Sequence, residues 1–166
     1  MFATAHRPDL ARPRTRAPLI RVADIATPLG VMALTEQDGA LVALDFAAKG
    51  ESDTSPLLRR AAEELAEYFA GKRKIFTLPL RPKGSAFQQC AWAALSAIPF
   101  GETRTYGAVA RALASGPRAI GQACRSNPLP VFIPCHRVVA VNGLGGFSGA
   151  ERALDRKRAL LAIETK

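Results

Sequence analysis

The segment "PLGVMALTEQDGALVALDFA", residues 28–47, alternates apolar and polar positions on either side of Asp38-Gly39. Period-two alternation around an Asp-Gly pair predicts a β-hairpin, with the core on one face of each strand. The period then changes. Ser55 and Pro56 supply an N-cap and a first-turn proline, Leu58, Ala62, Leu65 and Phe69 follow at helical spacing, and Gly71 closes the pattern. "KIFTLPL", residues 74–80, predicts one further strand.

After "RPKGS" at 81–85, which reads as a linker, the periodicity is helical. Ser85 and Gln88 have capping-box spacing and open a helix with Phe87, Ala91, Ala94, Leu95 and Ile98 on one side. Two short helical patterns follow, from Tyr106 to Ala114 and from Pro117 to Ser126. Their Ser115-Gly116 junction suits a helix-turn-helix, or equally an ordinary helix pair in a core. Prolines 128, 130 and 134 make "NPLPVFIPCHRVV" extended, and "NGLGGFSG" is a loop able to approach a ligand closely. A last helix is predicted from about Glu151 to Glu164, with Leu154, Lys157, Leu161 and Glu164 on one stripe. Glu164 is therefore either a solvated C-terminal residue or a buried carboxylate that orients an imidazole.

These elements divide the 166 residues into an Arg/Pro-rich arm (1–21), an α/β scaffold domain (22–82) and a mostly helical domain (83–166). The arm has no periodicity and is consistent with a DNA contact, a targeting segment or no role. Charge sharpens the division. Residues 1–21 hold five arginines and one acid (+4), residues 22–80 six bases and nine acids (−3), and residues 81–166 twelve bases and four acids (+8). The C-terminal excess suits a polyanionic partner, with a solubilising basic surface as the alternative. Neither a transmembrane stretch nor a signal-peptide layout is present, which predicts a soluble, cytoplasmic protein. Three cysteines without a CxxC pair argue against a disulfide framework and a zinc cluster, and two scattered histidines suggest no metal.

The candidate chemistry lies in "IPCHRV", residues 133–138. A cysteine is often only a small buried hydrophobe, but cationic neighbours lower a thiol's pKa and make it nucleophilic. In an extended strand the Cys135 and His136 side chains point to opposite faces, so direct contact is not expected. His136 is the one histidine outside the arm.

Six segments in order, "FQQCAW", "IPFGETRTYGAVA", "RAIGQACRSNPLP", "IPCHRVV", "GGFSG" and "KRALLAIE", resemble the O6-alkylguanine-DNA alkyltransferases. "TPLG" and "LAEYFAGKRKIFTLPL" extend the resemblance more weakly toward the N-terminus. It implies an α+β fold: a small ribonuclease-H-like domain followed by a winged-helix, helix-turn-helix-type domain carrying the acceptor cysteine. Cys135 then corresponds to the alkyl acceptor, His136 and Glu164 to the relay that makes it a thiolate, and Asn127 to the residue bracing that site. Tyr106 corresponds to the tyrosine that hydrogen-bonds the flipped guanine, and Arg118 to the arginine that fills the space it leaves. Val138 and Ser148 correspond to the backbone lining of the guanine pocket, and Arg125 lies on the DNA-facing helix.

The implied partner is double-stranded DNA carrying O6-alkylguanine, with O4-alkylthymine as a second substrate, approached through the minor groove by a monomer without cofactor. Two departures stand out. Two residues are missing between Tyr106 and Arg118 relative to the family pattern, and Phe147 replaces a tyrosine common in relatives. The competing readings are an alkyltransferase-like damage binder, which lacks the acceptor cysteine, a helix-turn-helix regulator, and a Cys-His hydrolase, for which no oxyanion-hole motif is found.

Overall fold

The computed structural model describes residues 16–146 and 152–166. Three antiparallel strands, β1 (Ile20–Thr27), β2 (Gly30–Gln37) and β3 (Ala40–Asp45), form a sheet in the order β1-β2-β3. The predicted hairpin joins β2 to β3. Asp38 and Gly39 both have positive φ, at 48° and 78°, as a two-residue turn matched to strand twist requires. β1 was not legible in the alternation and begins inside the predicted arm, at Ile20. It is an edge strand, so Arg21 and Asp24 interrupt its apolar positions, and loop backbone covers its edge through Asp24 N–H to Glu51 O (2.9 Å).

Helix α1 (Pro56–Phe69) packs on this sheet. Ser55 caps it by accepting from the Leu58 N–H, and its buried face is Leu58, Ala61, Glu64, Leu65 and Tyr68. The strand expected at 74–80 does not form: the segment makes a single bridge, Leu41 to Leu80. Pro79 has no N–H to give a ladder, and α1 side chains satisfy the backbone instead. Glu64 accepts from the Thr77 N–H (2.9 Å), and Arg60 donates to the Thr77 carbonyl (2.7 Å).

The second half is helical around a two-stranded pair, so the whole is α+β. Helix α2 (Ala86–Ser96) starts with the predicted reciprocal capping box of Ser85 and Gln88. Its core face is Ala91, Trp92 and Leu95, whereas Phe87 is exposed. Trp92 Nε1–H donates to the Ala123 carbonyl (2.9 Å), tying α2 to the later helix α4. Gly84 is needed beneath that ring, because a Cβ there would lie 2.5 Å from a Trp92 ring carbon.

Strand β4 (Arg104–Thr105) leads directly into α3 (Tyr106–Ala112), and α4 spans Pro117–Arg125. In the shortened turn between these helices the left-handed residue is Ala114 (φ 49°), not the glycine that follows. "NPLPVFIPCHRVV" departs from the extended expectation, because Cys135–Arg137 form a 3-10 turn before β5 (Val138–Val139). β5 pairs in parallel with β4, Arg104 opposite Val138, which sets Tyr106 beside the cysteine turn. The final helix α5 is Ala153–Glu164. Its buried face is Ala153, Lys157, Leu160 and Glu164; Leu154, expected on the stripe, is exposed.

Candidate active site

The 3-10 turn places two consecutive side chains in the interior: Cys135 is 2% and His136 0% exposed. A strand would have sent them to opposite faces, but a tight turn need not. Asn127 fixes the approach to the turn. Its side-chain carbonyl accepts from the Leu129 N–H (3.0 Å) and its amide donates to the Ile133 carbonyl (2.9 Å), stapling a loop in which Val131 holds a positive φ of 76°. A β-branched residue in that conformation is strained, and the staple holds it in place.

Glu164, at the last turn of α5, is buried and hydrogen-bonded on both oxygens. Oε1 lies 2.7 Å from His136 Nε2 and accepts from Arg137 Nη2 (2.9 Å) and the Tyr68 hydroxyl (2.8 Å); Oε2 accepts from Arg137 Nε (2.9 Å). Burial alone would raise this carboxyl's pKa, but the bonds from His136, Arg137 and Tyr68 outweigh it and hold the pKa at about 2. An ionised Glu164 assigns the His136 proton to Nε2, leaving Nδ1 as an acceptor, and Nδ1 has no hydrogen-bond partner among the described residues. Burial favours the neutral imidazole and lowers the His136 pKa.

The thiol differs from the expectation that cationic neighbours make it acidic. Arg137 is committed to Glu164 and His136 is neutral, so burial dominates and raises the Cys135 pKa to about 11, with Asn127 and Lys157 acting in the opposite direction. Cys135 is therefore a protected thiol at rest. With iodoacetamide near neutral pH, the exposed Cys90 should be carbamidomethylated well before Cys135, and peptide mapping over time would show the order. Equal rates would mean that Cys135 is open or ionised.

Tyr106, half-buried at the start of α3, donates its hydroxyl to the Gly146 carbonyl (3.1 Å). Burial, then Cys124 and Cys135, push its pKa up to about 12, so it stays a donor at neutral pH. Gly145 permits this placement, since a Cβ there would meet a Tyr106 ring carbon at 2.7 Å. Lys157 is fully buried and donates to the Val138 (2.6 Å) and Gly146 (2.9 Å) carbonyls. A cavity of about 920 Å³ adjoins Tyr106, lined in part by Tyr106, Cys124, Gly145, Gly146, Arg118 and Arg125. Arg118 and Arg125 are exposed on α4 at its rim, and Ser148 and Phe147 lie outside the described residues.

Two family models divide the chain: "6-O-methylguanine DNA methyltransferase, ribonuclease-like domain" matches residues 20–82 and "6-O-methylguanine DNA methyltransferase, DNA binding domain" matches residues 86–166. The chain belongs to the 6-O-methylguanine DNA methyltransferase family. A constitutive methylated-DNA–protein-cysteine methyltransferase of Bacillus subtilis is 41% identical over 152 residues, 83% of this chain and 91% of that protein. One from Mycolicibacterium paratuberculosis is 35% identical over 158 residues, 89% of this chain and 94% of that protein. Among solved structures, Mycobacterium tuberculosis O6-methylguanine methyltransferase has a TM-score of 0.80 at 32% identity, covering 89% of this chain and 93% of that one. The M. tuberculosis OGT structure in complex with DNA has a TM-score of 0.77 at 34% identity, covering 87% and 92%.

In this methyltransferase, sequence reasoning missed three buried polar residues. Arg137 reads in the sequence as a cationic neighbour of the thiol, whereas its guanidinium is bound to Glu164. Lys157 was on the predicted stripe but given no task. Tyr68 is 96 positions from Glu164, and no local pattern links them.

The site also predicts acid sensitivity. A carboxyl near 2 in the folded state, against an ordinary value near 4.5, contributes about 3 kcal/mol above pH 4.5 that is lost as pH falls toward 2. His136, with its folded pKa lowered, acts in the same direction from higher pH, because below about 6.5 the unfolded imidazole takes up a proton that the folded one resists. Urea midpoints should fall between pH 7.5 and 5.5 and more steeply below about 4.5. A flat profile would contradict the buried Glu164-His136 pair.

Proposed function

We propose that Cys135 is the acceptor through which this DNA-repair methyltransferase removes the methyl group from O6-methylguanine in duplex DNA. The observation that carries the reading is a set of buried groups on one turn and the helix beside it: the Cys135 thiol, His136 with an unpartnered Nδ1, and Glu164 ionised against His136 Nε2.

The thiol proton passes to His136 Nδ1 through a bridging water of the kind the family resemblance implies, and Glu164 stabilises the imidazolium that forms. The sulfur lone pair attacks the saturated carbon on O6, a C–S bond forms, and the C–O bond breaks with its electron pair on guanine. When the base is bound, the Tyr106 hydroxyl turns from the Gly146 carbonyl to the guanine ring and stabilises the developing negative charge by donating to it. Burial raises the resting thiol's pKa, and transfer of its proton to His136 is what makes the sulfur nucleophilic.

The thioether has no good leaving group, which makes each molecule react once. The target carbon is stacked inside the duplex, so the base is flipped into the cavity and Arg118 fills its place. Helix α4 presents Arg118 and Arg125 to the minor groove, whose degenerate code suits a protein that reads damage and not sequence.

Titrating the protein with duplex containing methyl-labelled O6-methylguanine tests the reaction. One equivalent of methyl group should be bound per protein, with no turnover after it. Methyl released to solvent, or turnover beyond one equivalent, would contradict it.

A further inference from the structure

The ribonuclease-like domain, read from sequence as scaffold, sends one side chain into the relay. Tyr68 is fully buried at the end of α1, and its hydroxyl donates to Glu164 Oε1 at 2.8 Å, the same oxygen that holds His136 Nε2. Its ring cannot easily swing away. It packs against Phe76 (5.2 Å between centroids), Phe69 (5.4 Å) and Phe100 (6.2 Å), and Phe76 in turn meets Phe132 (4.8 Å), three residues before the acceptor cysteine.

We propose that Tyr68 is a positioning residue for alkyl transfer: its hydroxyl shares the Glu164 carboxylate with His136 and thereby fixes, from the N-terminal domain, how that carboxylate orients the imidazole. This rests on the assignment of His136 and Glu164 as the relay to Cys135.

Tyr68 and His136 share one oxygen, Oε1, which Arg137 Nη2 also binds. With Tyr68 donating, part of the Oε1 charge is satisfied and the pull on the His136 proton is moderated, which keeps the imidazole neutral and ready to accept. Without it, Glu164 holds the imidazolium more strongly, and a higher pH is needed to free the base. The other charged or titratable groups facing the pair are Arg137 from the same turn, Lys157 from α5 and the adjacent Cys135, with Lys74 behind the Phe100 ring (5.6 Å). None of these changes in Tyr68→Phe.

The test is the single-turnover rate of methyl transfer from O6-methylguanine duplex as a function of pH, for the full-length protein and three variants. Tyr68→Phe keeps the ring and should lower the plateau roughly three- to tenfold, the loss expected for the net contribution of one hydrogen bond. It should also move the acid limb to higher pH. Phe76→Leu loosens the same aromatic cluster without removing a bond to Glu164, so it should lower the melting temperature and leave the acid limb in place. If Tyr68→Phe behaves like Phe76→Leu, with stability reduced and the limb unmoved, Tyr68 is structural and the proposal is overturned. Glu164→Gln separates that result from a failure of the relay itself. A slowed reaction with an altered acid limb supports the relay, whereas wild-type rate and profile would overturn the relay and Tyr68's part in it together.

Discussion

Cys135→Ser should abolish methyl transfer while leaving DNA binding nearly intact. The substitution is close to isosteric in a site that is 2% exposed, so the turn and the Asn127 staple should survive it. The chemistry should not. A serine hydroxyl is far harder to ionise than a thiol and far less nucleophilic toward saturated carbon, so the rate should fall by at least about a thousandfold, or about 4 kcal/mol on the barrier. Binding measured by fluorescence anisotropy with undamaged duplex should change little, because the arginines of α4 lie at the cavity rim, away from the thiol. Transfer that persists in this variant would move the acceptor to Cys124 or Cys90.

The second large effect is expected at Arg118. It is exposed near the start of α4, at the mouth of the cavity, where it can enter a base stack without taking part in the chemistry below. Flipping a base costs a few kcal/mol, and a plug recovers part of that cost. Arg118→Ala should therefore slow repair of duplex DNA roughly ten- to a hundredfold, with much less effect on reaction with free O6-benzylguanine, which has no stack to leave. The two substrates share the Cys135 pocket, so their ratio cancels general damage to the fold. An equal loss on both would mean that Arg118 supports structure. The shortened turn before it, with Ala114 in a left-handed conformation, makes this comparison the decisive one for the recognition helix.

Much of the architecture was legible because its signals are local. Asp38-Gly39, Ser55-Pro56 and the Ser85-Gln88 box each act within about four residues, and each appears as the sequence indicated. The failures have different physical causes. β1 pairs with its neighbour β2 along its whole length, but Arg21 and Asp24 break its apolar alternation, whereas the 74–80 segment is held by α1 side chains from elsewhere in the sequence. The site divides in the same way. Spacing left Glu164 either solvated at the C-terminus or buried, and the structure buries it and pairs it with His136. The state of the thiol was not readable, because adjacent His136 and Arg137 suggest an acidic cysteine only while Arg137's commitment to Glu164 is unknown. Tyr68 was the least visible, since only the packing of one domain on the other brings it to the carboxylate.

The most direct test of the account is to react the protein with duplex DNA containing O6-methylguanine, digest it, and locate the methyl group by peptide mass and fragmentation. The account predicts a single methylated residue, Cys135, in proportion to the guanine restored in the DNA. A methyl group on Cys124 or Cys90, or restored guanine with Cys135 unmodified, would contradict it.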